Sequence, residues 1–116
     1  MNKTIGIFGG GQLGRMMAQA ALPLNSQCTF FEVDTDCPAA ILGAVFSTKS
    51  EQGLQDFIAS ADVFSLEFEN TPINYVDVLT QSKTLHPPRL ALATAQNRLA
   101  EKALFDELNI PVAPYR

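Results

Sequence analysis

Thr4-Ile5-Gly6-Ile7-Phe8-Gly9-Gly10-Gly11-Gln12-Leu13-Gly14-Arg15-Met16-Met17 decides the fold of this chain. A short run of β-forming residues meets three glycines, and an apolar repeat begins directly after them. From Gln12 to Ala21 the residues Leu13, Met16, Met17, Ala20 and Ala21 recur at i, i+3, i+4, i+7 and i+8. That spacing places them on one face of a helix and predicts that the Met pair packs against a sheet. Strand, glycine turn and helix in this order open an α/β domain. Gly9, Gly11 and Gly14 also fit G-x-G-x-x-G, a turn whose exposed N–H groups at a helix N-terminus suit an anion.

The alternation continues outward from there. Gln27 to Val33 reads as a second strand, closed by the turn formers Asp34-Thr35-Asp36-Cys37-Pro38. Ala44 to Phe46 reads as a third. Ser50 is placed to cap a helix through Ser60, with Leu54, Phe57 and Ile58 facing inward. Val63 to Phe68 is the fourth strand, and Thr71-Pro72 supplies a cap and a first helical position for a helix to about Gln81. Thr84 to His86 is a last strand before Pro87-Pro88. A final helix over Ala95 to Leu108 ends at Asn109, expected in a left-handed cap, with Pro111 preventing continuation. Strands alternating with helices predict a Rossmann-like α/β fold, a parallel sheet with helices on both faces. Residues 1–94 are read as this domain and 95–116 as a helix and linker leading onward, since Ile110-Pro111-Val112-Ala113-Pro114-Tyr115-Arg116 has the composition of an extended connection.

With 116 residues the chain suffices for one domain and not two. At 47% hydrophobic and 17% charged residues it is globular rather than disordered. A net charge of -4 without any basic run argues against nucleic acid or an anionic membrane as partner. Its apolar runs fall well short of the ~20 residues of a membrane span. The opening Met1-Asn2-Lys3-Thr4 enters a strand at once with no signal-peptide pattern, so the chain reads as cytoplasmic. Cys28 and Cys37, without Cys-x-x-Cys and without a nearby His, speak against zinc and give little support to a disulfide. No metal-ligand cluster, Ser/His/Asp arrangement or Walker-type loop is visible, so no catalytic residue and no metal ligand is assigned.

Single motifs leave alternatives open. Taken by itself the glycine loop fits NAD(P), another small ligand, or no ligand, with Glu32 or Asp34 placed to receive a ribose hydroxyl. Glu67 and Glu69, at i and i+2 near a strand's carboxyl end, are expected to share one face on the usual ligand side of the sheet; a solvated strand end is the alternative. Arg98 and Lys102 share a helix face that suits a phosphate, although an isolated basic pair is more often a solvated face. His86 reads as a strand-end residue rather than a catalyst.

The order of the motifs is more specific than any one of them. I-G-I-F-G-G-G-Q-L-G-R-M-M at 5–17, D-T-D-C-P-A at 34–39, E-F-E-N at 67–70, H-P at 86–87, Q-N-R-L-A-E-K at 96–102 and L-N-I-P-V-A-P-Y at 108–115 occur together. The set resembles the N-terminal part of the N5-carboxyaminoimidazole ribonucleotide synthetases, ATP-grasp ligases of purine biosynthesis also described as ATPase subunits of phosphoribosylaminoimidazole carboxylase. The resemblance spans essentially the whole chain. It implies a Rossmann-like pre-ATP-grasp domain, in which a dinucleotide-like loop serves without a dinucleotide. It implies a cytoplasmic enzyme, homodimeric at full length, that uses ATP, Mg2+ and bicarbonate to carboxylate the exocyclic amine of 5-aminoimidazole ribonucleotide. It assigns the substrate to Gly11, Gln12, Leu13 and Glu67 and ATP to Arg98. ATP and Mg2+ would be held mainly by an ATP-grasp domain beyond Arg116, so this segment alone is expected to be inactive. Two departures stand out: Gln96-Asn97-Arg98 replaces a common Gln-Asp-Arg, and Asn109 replaces a common Gly, which a left-handed cap tolerates. The rival readings are an NAD(P)-binding domain of an oxidoreductase and a non-catalytic nucleotide-sensing module.

Overall fold

The computed structural model describes residues 3–111 and 113, so the expected linker end falls partly outside the described residues, at Val112 and 114–116. Strands β1 (Thr4–Phe8), β2 (Gln27–Glu32), β3 (Val45–Ser47), β4 (Val63–Leu66) and β5 (Thr84–Leu85) form one sheet in the order β3-β2-β1-β4-β5. Every pairing is parallel. Parallel neighbours require crossovers; helices α1 (Gln12–Ala21), α2 (Gly53–Ala59) and α3 (Ile73–Leu79) lie in the β1–β2, β3–β4 and β4–β5 connections, and the β2–β3 connection carries a 3-10 turn, Pro38–Ile41. The chain moves from β1 outward to β3, then returns to β4 on the other side of β1. The Rossmann-like expectation is met.

Successive strand residues point to opposite faces, and the core divides accordingly. On one face Ile7, Cys28 and Phe30 pack with Ala18 and Ala21 of α1 and with Ala39 of a 3-10 turn, Pro38–Ile41. On the other, Phe8, Phe31 and Phe64 pack with Phe57 and Ile58 of α2 and Val76 and Leu79 of α3. Phe57 is the hub, with ring centroids 5.2 Å from Phe8, 5.3 Å from Phe31 and 5.2 Å from Phe64. Such ring pairs add about 0.5–1.5 kcal/mol each beyond their buried area.

Helix α1 has the expected bounds, but of the expected inward face only Ala21 is buried and only Met17 packs beside it. Its buried line is Gly14, Ala18 and Ala21, while Leu13 is 55% and Met16 59% exposed. Small residues let the helix axis lie close to the sheet: a Cβ on Gly14 would come within 3.0 Å of the Gly9 carbonyl oxygen. Of the Met pair only Met17 packs against the core.

Several boundaries also shift. Ser50 does not cap; its carbonyl accepts the Gly53 N–H at 3.0 Å, and α2 starts at Gly53. Thr71 does not cap either, because its hydroxyl turns back to donate to the Phe68 carbonyl at 3.1 Å. The last expected helix, Ala95 to Leu108, is α5 (Arg98–Glu107); a helix that was not expected, α4 (Arg89–Gln96), precedes it, and the two are separated at Asn97 with φ -112 and ψ 109. Asn97 Oδ1 accepts the Ala100 N–H at 3.1 Å, which makes the break a cap for α5. Asn109 is left-handed as expected, at φ 58.

Candidate functional site

The site lies where β1 and β4 emerge side by side at the carboxyl edge of the sheet, the place where open α/β sheets bind ligands. The Glu67 N–H donates to the Phe8 carbonyl at 3.0 Å, extending the β1–β4 ladder one residue past β4. This delivers the Glu67 side chain to the glycine loop. Its Oε2 accepts the Gly11 N–H at 2.7 Å and the Gly14 N–H at 3.3 Å. These belong to the start of α1, where N–H groups lack helical partners and the helix dipole favours negative charge. Gly11, the N-cap, has no side chain to do this, and a carboxylate from another strand does it instead.

The glycines are small because of that carboxylate. A Cβ on Gly11 would stand 2.5 Å from Glu67 Oε1, and one on Gly14 would stand 2.9 Å from Oε2. Gly9 in addition adopts φ +112, a region side chains rarely enter. A dinucleotide-binding loop reserves this space for a pyrophosphate. Here the chain's own carboxylate fills it.

Glu67 and Glu69 do not share a strand face, which corrects the sequence expectation. β4 stops at Leu66, Glu67 turns into the loop, and Glu69 is exposed in the following turn. Gln12 and Leu13 occupy the exposed first turn of α1. Leu13, Met16, Leu66 and Glu67 line one shallow groove, so the structure brings Gly11, Leu13 and Glu67 together with Gln12 beside them. Arg98 is exposed on the first turn of α5, a separate element, with Lys102 one turn further on. His86 is exposed after β5.

On the β2 side a cleft of about 140 Å³ is lined by Phe8, Gly9, Glu32, Phe68 and Tyr75 among others. Glu32 thus ends β2 where a ribose-binding acid would stand, whereas Asp34 Oδ1 accepts the Asp36 N–H at 2.9 Å in a local turn. Both thiols are free. Burial pushes Cys28 up from its ordinary value, and burial likewise raises Cys37, partly offset by backbone N–H groups such as that of Ala39. Among the described residues no three His, Cys, Asp or Glu side chains converge as a metal site.

Sequence reasoning missed one contributor. Gln96 Nε2 donates to the carbonyl of Thr71, which is 3% exposed. Two residues 25 apart carry no periodic signal, so only the fold reveals the pairing.

Residues 1–96 match the ribonucleotide synthetase preATP-grasp domain family. The chain belongs to that family. Among its relatives, the N5-carboxyaminoimidazole ribonucleotide synthase of Brucella melitensis is 39% identical over 116 residues, covering 97% of this chain and 32% of that protein. The crystal structure of N5-carboxyaminoimidazole ribonucleotide synthetase from Thermus thermophilus matches with a TM-score of 0.88 at 38% identity, over 95% of this chain and 31% of that one. An Aspergillus clavatus synthase in complex with ADP and 5-aminoimidazole ribonucleotide matches with a TM-score of 0.82 at 25% identity, over 97% and 31%. The preATP-grasp chain described here therefore spans about a third of the length of these relatives.

Proposed function

We propose that this chain is the substrate-binding N-terminal segment of an ATP-dependent ligase that carboxylates the exocyclic amine of 5-aminoimidazole ribonucleotide with bicarbonate. The observation that carries this reading is the Glu67 carboxylate, fixed through Oε2 by Gly11 and Gly14. Among the described residues no donor is bonded to its Oε1. That oxygen is ready to accept an N–H from an amine at the carboxyl edge of the sheet. The Gln12 amide and the first-turn N–H groups of Gln12 and Leu13 stand beside it for the remaining polar atoms of the substrate. Synthetases of this name are known in complex with ADP, and one with ADP and 5-aminoimidazole ribonucleotide together.

The chemistry asked of these residues is orientation. The amine nitrogen forms a bond to the carbon of activated bicarbonate while the carbon–oxygen bond to the departing phosphate breaks, and the nitrogen gives up a proton. Accepting an amine N–H at Glu67 Oε1 aims the nitrogen and gives the proton a place to go. ATP would supply the phosphoryl group that activates bicarbonate, and Mg2+, held outside the described residues, would neutralise the phosphates. Among the described residues no metal ligands converge, and Arg98 is the residue of this segment assigned to the nucleotide. On this reading residues 1–94 bind the substrate and 95–116 lead to the nucleotide-binding part of a cytoplasmic homodimer, and the segment alone is inactive. No helix among the described residues is long and apolar enough to cross a membrane.

ADP release by the full-length synthetase carrying this segment tests the reading. Release should require both 5-aminoimidazole ribonucleotide and bicarbonate. Micromolar binding of NAD(P)H by the 116-residue chain would overturn it in favour of a dinucleotide domain.

A further inference from the structure

Glu67 is carried by a loop, residues 67–72, that continues past the end of β4. Beside the bonds of the Glu67 carboxylate to Gly11 and Gly14, three further bonds hold this loop. The Glu67 N–H donates to the Phe8 carbonyl, the Thr71 hydroxyl donates to the Phe68 carbonyl, and the Gln96 carboxamide donates to the Thr71 carbonyl. The first two lie at the sheet or within the loop itself. Of these three, the third reaches the loop backbone from a helix distant in sequence. Thr71 is buried, Gln96 is exposed, and the bond between them is half-buried, so the Gln96 amide covers the Thr71 carbonyl from the solvent side.

The helix that makes this bond is well anchored. Leu92 of α4, one turn before Gln96, is 2% exposed and belongs to the core cluster that includes Phe64 and Val76. Residues at i and i+4 lie on one helix face, so the packing that seats Leu92 aims Gln96 at the loop. Gln96 is also the last residue of α4, with Asn97, the cap of α5, directly after it and Arg98 next. A neutral amide suits the position. It donates to a carbonyl, where a carboxylate would place acceptor against acceptor, and it does not compete as a charge for Glu67.

We propose that Gln96 is a positioning residue: by holding the Thr71 carbonyl it fixes the loop that keeps the Glu67 carboxylate against Gly11 and Gly14, and so sets the affinity for the amine-bearing substrate. The part concerning loop geometry stands on the structure, and the part concerning affinity rests on the function proposed above.

The test uses the full-length synthetase carrying this segment as wild type, Gln96→Glu and Gln96→Lys, with Gln96→Ala replacing the Glu variant if that one does not fold. Losing the donor should raise KM for 5-aminoimidazole ribonucleotide about tenfold, the size of one net hydrogen bond, while KM for ATP stays within about twofold. Gln96→Lys keeps a donor and should stay within about threefold of wild type. Amide exchange supplies a readout independent of activity: Gly11 and Gly14 should lose about tenfold protection in Gln96→Glu, with Ile7 and Phe30 unchanged. A rise in KM for ATP instead would place Gln96 on the nucleotide side through Arg98 and overturn the proposal. Equal loss in the Glu and Lys variants would overturn it too, since shape and not the donor would then matter. If wild type shows no turnover with the ribonucleotide, the proposed function fails while the exchange at Gly11 still decides the role of Gln96: unchanged protection refutes it.

Discussion

The Glu67 carboxylate and the Gly11 amide, 56 positions apart in sequence, meet at 2.7 Å and tie the carboxyl end of β4 to the first turn of α1. One contact thereby answers two needs. It satisfies N–H groups that open every helix, and it places a carboxylate at the sheet edge in a fixed orientation. The glycines follow from it as a steric consequence.

Gly11→Ala measures that consequence. The new Cβ would lie 2.5 Å from Glu67 Oε1, so the carboxylate must leave its bonds. A loss of about 1–3 kcal/mol in urea unfolding is expected. In a Glu67→Ala background the same substitution should be nearly neutral, giving a coupling of about 1–2 kcal/mol in the double-mutant cycle. Additive effects would show that Gly11 serves the turn alone.

Glu67→Ala should also uncover the anion position. With the internal carboxylate gone, the Gly11 and Gly14 N–H groups face an open space at the start of α1. Inorganic pyrophosphate should then raise the melting temperature of the variant and not of wild type, at matched ionic strength. Ligand at ten times its dissociation constant contributes about 1.4 kcal/mol. A variant as indifferent to pyrophosphate as wild type would mean that the loop collapses when Glu67 is removed.

The sequence readings that succeeded were local ones. Strand, glycine turn and helix at 4–21, and the left-handed cap at Asn109, depend on neighbours in the chain and were legible. The inward face of α1 was legible only at Ala21 and Met17, because apolar periodicity also picks out Leu13 and Met16, whereas close approach to the sheet selects Gly14 and Ala18. Glu67 was singled out by its position near a strand end, but its direction depended on β4 stopping at Leu66. Helix α4 was not read at all, and the start of α5 was placed at Ala95 because Asn97 is a cap only once its side chain meets the Ala100 N–H.

The exposed face of α1 gives a direct check on that difference. Met16→Gln should change the stability of this chain by less than about 0.5 kcal/mol, as surface substitutions do. Ala18→Leu, by contrast, overfills the contact with β1 and β2 and should cost about 1–3 kcal/mol. Thermal unfolding of the two variants decides it; a cost of 2 kcal/mol or more at Met16 would put that residue in a core.

Cys28 makes a prediction for alkaline pH. Burial raises its thiol above the ordinary value of 9.0, so the unfolded chain ionises there before the folded one does. The associated stability is complete below pH 9 and is lost as pH rises through the folded value. The difference in unfolding free energy between wild type and Cys28→Ala should be flat from about pH 6 to 8 and shrink above about pH 9. A slope already present near pH 7 would mean that the thiol ionises early and is not shielded.

Gln12 tests how the loop selects its ligand. It is the first residue of α1, exposed, and adjacent to the Gly11 N–H that Glu67 engages. Gln12→Glu places a second carboxylate on the same helix end. The helix itself should welcome it, since an acidic residue in the first turn contributes about 0.3–1 kcal/mol, and the melting temperature should hold or rise. The substrate should not. An amine conjugated to an imidazole ring is essentially neutral, so closing the site over two carboxylates leaves one charge desolvated without a cationic partner and next to a like charge. In the full-length synthetase KM for 5-aminoimidazole ribonucleotide should rise by about tenfold or more, with KM for ATP changed less than about twofold. Glu67→Gln should harm substrate use more than Glu69→Gln, because Glu67 sits in the loop and Glu69 is exposed in the turn beyond it. If Gln12→Glu leaves the ribonucleotide dependence unchanged, the Gln12 side chain lies outside the site and the backbone of the loop, with Glu67, recognises the substrate without it.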